Sequence, residues 1–346
     1  MKIPENKLII FVIIFLLTTA SAFSNDAKLS ELQEKVAVLS ESMAVSLPFN
    51  STLGLNWSDS HIGKLPRFGI GASAGITFLD IGDMNKILSM FGDYHIPIPG
   101  LGLPLPGYTF EGRLGGIGIP FDVGFKIGLL PEHIPILDTY GVSLEYLLIG
   151  GDIRFSVLPN NKIVKASIGF GVNQLTGGIA TTMKGIGKEF NFGVLDEYIY
   201  TMTFADPSVG LRWNTTCFEL KAQVSANFVI ITPYAGFGLS YAKTNTGYSI
   251  KSSVTMTDPN GNPVPPGEYR PVLEREGVED ITYVSDKGIE SLLDYTSWNT
   301  RFYTGMALNL SVLRFDVTGM YNIFTQNLGL SVGIRFQIPD KKEKDS

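Results

Sequence analysis

The sequence predicts an all-β fold, a transmembrane antiparallel β-barrel of about 12–14 strands with a short N-terminal helical segment. The 346-residue chain is 44% hydrophobic but only 17% charged, below the roughly 25% charged residues of ordinary soluble domains. Its one long apolar run lies at the N-terminus. Apolar residues alternate with small or polar ones over segments of about 9 to 13 residues, the length that crosses a bilayer at a tilt.

The N-terminus has the three parts of an export signal. Lys2 and Lys7 are basic, Leu8 to Leu17 form an apolar core, and Ala20-Ser21-Ala22 supplies small residues for cleavage. About ten apolar residues are too few for a spanning helix, which needs about 20. We therefore expect residues 1–22 to be a cleaved signal peptide; an uncleaved anchor helix is the alternative.

The start of the mature chain has a helical pattern. Apolar residues recur there at steps of three and four inside a polar frame: Leu29, Leu32, Val36, Leu39 and Met43. This spacing is typical of an amphipathic helix. We expect residues 23–60 to form a helical and extended segment that partly plugs the barrel, with a periplasmic appendage as the alternative.

Period-two alternation is clearest in Phe121–Leu129, Val164–Asn173 and Phe218–Phe228, and a similar segment, Leu328–Ile338, ends the barrel sequence. One face of each segment is apolar, and the other carries glycine, serine, asparagine and charges. Lipid outside and a narrow polar lumen inside explain both faces. A soluble β-sandwich is the alternative, but it does not require so much glycine on the second face. The expected barrel covers residues 61–338 and is followed by a charged tail at 339–346.

Further candidate strands follow the same pattern less cleanly. They are Arg67–Leu79, Tyr108–Ile119, Tyr140–Leu158, Tyr198–Phe204, Ser208–Asn214, Thr232–Ala242, Tyr248–Thr257, Trp298–Leu310 and Leu313–Tyr321. In Tyr140–Leu158 the apolar phase shifts by one residue at Gly150-Gly151, which predicts a bulge or a short turn. The stretch Asp258–Thr296 is rich in proline and acidic residues and predicts a polar loop with a short helix near Ile289–Leu293.

A second long loop, Asp80–Gly107, combines dense proline with leucine and isoleucine. Proline at this density argues against a sheet. An apolar loop on an outer surface marks a docking place for apolar ligands or partners; a lid packed on other loops is the alternative. The predicted ligand-binding residues of this loop lie near the barrel mouth: Phe91, Leu101, Leu103 and Leu105.

Strand parity predicts which charged side chains point into the lumen. They are Glu111, Arg113, Asp122, Lys126, Glu145, Asp152, Arg154, Lys165, Glu219, Lys221, Arg301 and Arg335. We expect most of these charges to neutralise one another across the barrel. Arg113, Lys126 and Arg154 are the cationic candidates for a permeation path or for binding a ligand carboxylate.

Catalytic and cofactor patterns are weak. The three histidines, His61, His95 and His133, are not near a serine in a nucleophile-elbow pattern. No His/Cys/Asp cluster has metal-ligand spacing. We expect no enzyme activity, no cofactor and no bound metal. The net charge of -6 and the pI near 5.2 argue against a nucleic-acid partner, so the expected partners are membrane lipid and a hydrophobic small molecule.

Several segments together resemble the FadL-type outer-membrane family. They include Leu47-Pro48-Phe49-Asn50 to Leu55-Asn56-Trp57, Ile119–Gly128, and Gly150-Gly151-Asp152-Ile153-Arg154-Phe155. The resemblance implies an outer-membrane barrel of about 14 strands with an N-terminal hatch, which takes up long-chain fatty acids and other hydrophobic compounds. The family's Asn-Pro-Ala hatch signature is not found near the mature N-terminus. The expected function is passive uptake of hydrophobic small molecules. The alternatives are a surface-exposed structural or partner-binding barrel and a general polar porin.

Overall fold

The structure is a computed structural model and contains one helix and fourteen strands in its described part. It describes residues 26–60, 62, 68–79, 103–115, 120–130, 142–158, 163–182, 188–194, 198–206, 208–228, 230–251, 254–258, 260–265 and 289–337. The helix is α1 (Asp26–Ser51). The strands are β1 (Phe68–Leu79), β2 (Leu103–Gly115), β3 (Phe121–Leu129), β4 (Val142–Ser156), β5 (Val164–Thr182), β6 (Lys188–Val194), β7 (Tyr198–Phe204), β8 (Ser208–Ala226), β9 (Ile231–Lys251), β10 (Val254–Thr257), β11 (Pro263–Val264), β12 (Ile289–Leu310), β13 (Leu313–Asn322) and β14 (Leu328–Gln337).

Ten antiparallel strands close into a barrel in the order β1-β14-β13-β12-β9-β8-β5-β4-β3-β2. The predicted fold class is confirmed, but the expected number of 12–14 strands is wrong. The predicted strands Ser208–Asn214 and Phe218–Phe228 both fall in the single strand β8, because pairing continues where the apolar pattern ends. The predicted strand Tyr198–Phe204 is β7, which lies in a separate four-stranded sheet of order β11-β10-β7-β6.

The outer surface of the barrel is apolar, as alternation predicts. Phe125 is 54% exposed and Leu220 is 59% exposed, whereas Lys126, which follows Phe125 and points to the opposite face of β3, is 1% exposed. Closure pairs each barrel strand with a neighbour on both sides within the barrel, so that no open edge faces hydrocarbon there. The outward apolar residues therefore form a membrane belt around the barrel.

Strand β4 corrects two predictions. It pairs with β3 and β5 in one unbroken register, in which Gly150 lies opposite Asn173. There is therefore no bulge at Gly150-Gly151. Tyr146 is buried in the lumen and Glu145 is exposed on the outside, so the predicted inward position of Glu145 is wrong. The apolar residues of β4 change face although the strand is regular: Tyr146 and Leu148 point into the lumen, whereas Ile149 and Phe155 point outward. The lumen around Tyr146 and Leu148 therefore accepts apolar side chains.

Four strands are much longer than a bilayer requires. β5, β8, β9 and β12 have 19, 19, 21 and 22 residues. Beyond the belt their outward side chains become polar: Gln174 donates to Asn214, and Asn245 donates to Asp294 at 3.0 Å. We call this part the projecting wall; it comprises residues 174–182, 208–216, 243–251 and 289–297. The expected short helix at Ile289–Leu293 is wrong, since these residues begin β12.

Aromatic side chains mark the border between the belt and the projecting wall only in part. Tyr241 and Trp298 face outward with ring centroids 5.2 Å apart, as in the aromatic girdle of membrane barrels. Trp213, Tyr234 and Tyr303 instead lie buried in the lumen. Strand-end position alone therefore does not separate a girdle residue from a lumen residue.

Helix α1 lies in the lumen and packs against β9, β12 and β8. Met43, Ala44 and Leu47 are fully buried there. The strand ends that border the long connections (β1 to β2, β3 to β4, β5 to β8 and β9 to β12) all lie at one end of the barrel, together with the short turn 323–327, and the other short turns lie at the opposite end. We call these the long-loop end and the short-turn end.

Within the described residues, no helix is both long enough and apolar enough to cross a membrane.

Candidate functional site: the plugged lumen

The chain leaves α1 inside the barrel and runs to the short-turn end as an irregular segment, residues 52–60, which we call the lumen segment. Every residue of this segment is buried. Its turn depends on Gly54, whose φ of 79° lies in the left-handed region. A Cβ at this position would lie 2.5 Å from Thr109 Oγ1, so glycine is required both by the backbone and by the close approach to the wall.

The lumen has two parts that surround different structures. The inner half surrounds the lumen segment, and the outer half surrounds residues 40–51 of α1. The buried cluster of Phe49, Leu53, Tyr234, Tyr303 and Met320 joins the helix and the lumen segment to the wall.

Glu111 fixes the turn of the lumen segment. Its Oε2 accepts hydrogen bonds from Leu55 N at 2.9 Å and from Trp57 Nε1 at 2.7 Å. The Trp57 ring lies near two guanidinium groups, 5.5 Å from that of Arg113 and 4.9 Å from that of Arg335. Both distances fit cation–π attraction. One wall carboxylate and two wall cations therefore hold the central residues of the segment.

Wall side chains also bind the backbone carbonyl oxygens of this region. An irregular backbone makes few hydrogen bonds with itself, so at membrane depth it needs partners from the protein around it. Lys126 Nζ donates to Ser51 O at 2.8 Å and to Leu53 O, and Gln223 Nε2 donates to Trp57 O at 2.8 Å. Further contacts run from Arg113 and Lys221 to Leu55 O, from Arg154 to Asp59 O, from Gln223 to Ser58 O, and from Arg301 to Thr52 O.

Two carboxylates connect the cations on one side of the inner half. Arg113 reaches Asp122 at 2.6 Å and Asp152 at 2.8 Å. Arg154 binds both oxygens of Asp122, at 3.0 and 2.7 Å, and Lys221 pairs with Asp152. All five side chains are buried, so each charge depends on this network for its compensation.

The opposite side of the inner half holds the lumen segment through its own side chains. Arg301 pairs with Glu219 at 2.6 Å and donates to Asn56 Oδ1 at 3.0 Å. Arg314 pairs with Asp59 at 3.2 Å. Arg335 donates to Ser58 Oγ at 2.6 Å and lies 3.4 Å from Asp316. The segment is thus anchored across the whole width of the lumen.

The outer half has a different lining. Its buried wall residues are neutral, and the large ones are apolar: Leu105, Tyr146, Leu148, Leu175, Leu211 and Trp213. The smaller ones include Cys217, Ala242 and Thr244, each fully buried. Among the described residues, the buried charges of the lumen all lie in the inner half.

Little free space remains beside the lumen segment. A cavity of about 20 Å³ lies between Asn56, Trp57 and Arg335, and one of about 10 Å³ lies between Trp57, Asp59 and Arg154. A cavity must offer roughly 10–15 Å³ to hold one water molecule. The lumen is therefore closed at the level of the lumen segment.

The structure places the predicted ligand-binding residues in three groups. Arg113, Lys126 and Arg154 point into the inner half, where they bind the lumen segment. Leu105 is buried in the outer half, and Leu103 lies at the start of β2. Phe91 and Leu101 lie outside the described residues, as do the predicted signal peptide, the predicted charged tail, most of both predicted long loops and the three histidines.

The predicted loop Asp80–Gly107 ends earlier than expected, because Leu103–Gly107 belong to β2. Proline is tolerated there at alternate positions. β2 pairs with β1 from Leu103 to Leu114, but it pairs with β3 only from Phe110 onward. Pro104 and Pro106 therefore face a side without a ladder partner, where a missing N–H costs little.

Several residues of the site were not predicted. Arg314 and Asp316 have the inward parity of the predicted strand Leu313–Tyr321 and were detectable from alternation. Trp57, Asn56 and Asp59 carry no periodic signal, since the lumen segment is irregular. Among the residues that the structure describes, no group of three or more His, Cys, Asp or Glu side chains is placed to hold a metal ion.

Comparison with known proteins yields structural similarity alone. No family model matches the chain, and no curated protein matches it. Solved structures that resemble it include the attachment invasion locus protein Ail of Yersinia pestis, with 9% identity, a TM-score of 0.29 and coverage of 79% of this chain and 97% of that chain. The translocator domain of the autotransporter NalP from Neisseria meningitidis has 11% identity, a TM-score of 0.34 and coverage of 92% and 100%. The KdgM porin has 8% identity, a TM-score of 0.29 and coverage of 78% and 99%.

These similarities are too low to assign a function. The class rests on the molecule itself: a closed barrel with an apolar belt, with all of its long connections at one end and only short turns between the described strands at the other. This is the architecture of outer-membrane barrels. The protein is an outer-membrane β-barrel with its own N-terminal segment in the lumen. The FadL-type family is not shown, and ten strands differ from the roughly 14 that this resemblance implies.

Proposed function

We propose that the protein is a transport barrel that its own lumen segment keeps closed, and that solutes pass when this segment moves. The observation that carries the proposal is the polar character of the contacts between segment and wall. A barrel filled permanently gains at least as much stability from apolar packing, because buried ion pairs seldom outperform it. A polar wall, in contrast, is what a water-filled passage needs once the segment has left.

The two linings of the lumen support a hydrophobic substrate with a polar end. A long-chain fatty acid or a similar compound would meet Leu105, Leu148 and Trp213 in the outer half first. Its carboxylate would then meet the cations of the inner half. In this proposal the hydrophobic substrate is first bound near the mouth by Phe91, Leu101, Leu103 and Leu105. Its carboxylate then binds Arg113, Lys126 and Arg154 as it passes through the inner half.

A second candidate function is partner binding at the cell surface. The observation that favours it is the projecting wall together with the separate sheet of β6, β7, β10 and β11, which extends well beyond what a membrane pore requires. A partner-binding barrel would keep its lumen closed at all times. A general polar porin is the third candidate, and it would pass small sugars as readily as fatty acids.

A disulfide lock separates these candidates. Gly54→Cys and Thr109→Cys, in a Cys217→Ser background, place two thiols within bonding reach, since a Cβ at position 54 lies 2.5 Å from Thr109 Oγ1. A non-glycine residue in the left-handed region costs about 1–2 kcal/mol, so the matched control is Gly54→Cys alone. The measurement is uptake of a labelled long-chain fatty acid and of a small sugar into proteoliposomes.

We expect fatty-acid uptake to stop when the double variant is oxidised and to return on reduction, while the single variant is insensitive to both treatments. Unchanged uptake in the oxidised protein would show that the segment need not move. Absence of uptake in every form would favour partner binding, and sugar uptake equal to fatty-acid uptake would favour the porin.

A further inference from the structure

The wall of the inner half carries more positive than negative charge. Among the described residues its cations are Arg113, Lys126, Arg154, Lys165, Lys221, Arg301, Arg314 and Arg335, and its carboxylates are Glu111, Asp122, Asp152, Glu219 and Asp316. Eight cations against five carboxylates leave a surplus of three positive charges on the wall. The lumen segment contributes only one formal negative charge, Asp59.

The backbone of the lumen segment and of the end of α1 accepts hydrogen bonds from several of these cations. Lys126 is the clearest case: its Nζ donates to Ser51 O and Leu53 O, and no described carboxylate lies within ion-pair distance. The side chain is 1% exposed. A carbonyl oxygen carries only a partial charge, so an anion makes a stronger hydrogen bond to an ammonium group.

Other wall cations divide their donors between a carboxylate and the segment. Arg154 binds Asp122 through Nε and Nη2 but gives Nη1 to Asp59 O at 3.2 Å. Arg301 binds Glu219 and gives Nη1 to Asn56 Oδ1. Departure of the segment would therefore remove the oxygen acceptor of Nη1 on each of these side chains while their ion pairs stay in place; on Arg301 only the weak contact with Met320 Sδ at 3.5 Å would remain for Nη1.

We propose that the inner half, once the lumen segment has moved, is an anion-binding passage in which Lys126 and the freed donors of Arg154 and Arg301 receive a carboxylate or another small anion. In the resting state the segment's carbonyl oxygens occupy the same donors in place of that anion. This inference rests on the proposed function, since it describes the passage that the moving segment would open.

The experiment measures ion selectivity with chloride and potassium as probes. A variant that lacks residues 26–60 is placed in a planar bilayer under a tenfold KCl gradient, and its reversal potential is recorded. We expect chloride to be at least threefold more permeant than potassium. The partner variant adds Lys126→Glu and Arg314→Glu, which changes the wall to six cations and seven carboxylates; here the preference should reverse to potassium.

The outcomes separate the two proposals. A conducting variant that prefers potassium, or that has no preference, overturns the anion passage and leaves the transport proposal standing. A folded variant without conductance, checked by its heat-modifiable migration, overturns the transport proposal itself. Should the deletion fail to fold, the full-length variant Trp57→Ala/Asp59→Ala keeps every wall charge, and chloride preference in its openings is the expected result; potassium preference there contradicts the inference.

Discussion

The two halves of the lumen satisfy the backbone of the enclosed chain in different ways. In the outer half the chain is helical, and the wall around it is neutral and largely apolar. In the inner half the chain is irregular, and the wall around it carries arginine, lysine and glutamine. A helix satisfies its own backbone except at its ends, and α1 receives the wall donor Lys126 at its last residue, Ser51, whereas an irregular chain in a membrane protein needs donors along its whole length. The conformation of the plug therefore explains why the wall supplies hydrogen-bond donors here, and the proposed passage accounts for the charge that most of these donors carry.

The difference also divides the roles of the two halves. Apolar packing in the outer half holds α1 in place without specific partners, as Met43, Ala44 and Leu47 show. The inner half depends on charged groups that pair with one another, in a network around Asp122 and Asp152 and in separate pairs such as Arg301 with Glu219. Substitutions in the inner half should therefore act on closure and stability together, and those in the outer half should act mainly through lost packing.

The largest expected effect is that of Asp122→Asn. This carboxylate pairs with both Arg113 and Arg154, so its loss leaves the buried Arg154 without its carboxylate and leaves Arg113 with Asp152 alone. We expect a loss of about 3–5 kcal/mol of stability, measured as the temperature at which the barrel loses heat-modifiable migration in detergent. Asp316→Asn is the matched control; it affects one weaker pair, with Arg335 at 3.4 Å, and a loss as large as that of Asp122→Asn would refute the network account.

The two lumen tryptophans allow a direct comparison of the halves. Trp57 Nε1 donates to Glu111 at 2.7 Å, whereas Trp213 Nε1 has no hydrogen-bond partner in the described structure. Trp57→Phe leaves a buried carboxylate oxygen short of a donor and should cost about 1–3 kcal/mol.

Trp213→Phe removes no hydrogen bond and should cost less in thermal denaturation of the purified protein. Equal shifts in the two variants would mean that the indole N–H of Trp57 contributes nothing to holding the segment.

Two glycines with left-handed backbones test the close approach in the inner half. Gly54 and Gly261 have φ values of 79° and 81°, but a Cβ at Gly261 meets nothing within 4 Å, while one at Gly54 meets Thr109. Gly261→Ala should cost about 1–2 kcal/mol from the backbone alone, and Gly54→Ala should cost more and increase the frequency of channel openings. Identical denaturation temperatures for both variants would show that Thr109 and its neighbours can move away from the new Cβ without loss of folding stability.

The smallest expected effect is that of a tag before α1. The chain runs from Asn50, in the last turn of α1 near Thr77 and Leu105, down to Ser60 at the end of the lumen segment, whose backbone N–H donates to Ser225 near the short-turn end. The helix therefore leads toward the long-loop end, which faces outward in barrels of this class. An epitope inserted after Asn25 should leave stability unchanged and bind antibody on intact cells. Binding only after the outer membrane is opened would contradict this direction.

Sequence reasoning captured the wall better than the plug. Alternation places Lys126, Asp152 and Arg301 correctly because a strand repeats every two residues and the two faces meet different solvents. Alternation failed at Glu145, because in this part of β4 the apolar residues Tyr146 and Leu148 point into the lumen and the polar ones point outward. It also could not find Trp57 or Asp59, whose positions depend on contacts with distant strands and leave no periodic trace.

The most direct test of closure is the accessibility of the lumen segment itself. Ser58 is fully buried in the inner half, and Thr216 lies on the outward face of the projecting wall. Each is replaced by cysteine in a Cys217→Ser background, and the rate of reaction with a membrane-impermeant maleimide is compared. The structure predicts that Ser58→Cys reacts at least about 100-fold more slowly than Thr216→Cys, corresponding to openings that cost about 2.7 kcal/mol or more, and that Arg301→Gln accelerates it. Reaction of both cysteines at the same rate in the resting protein would contradict a closed lumen.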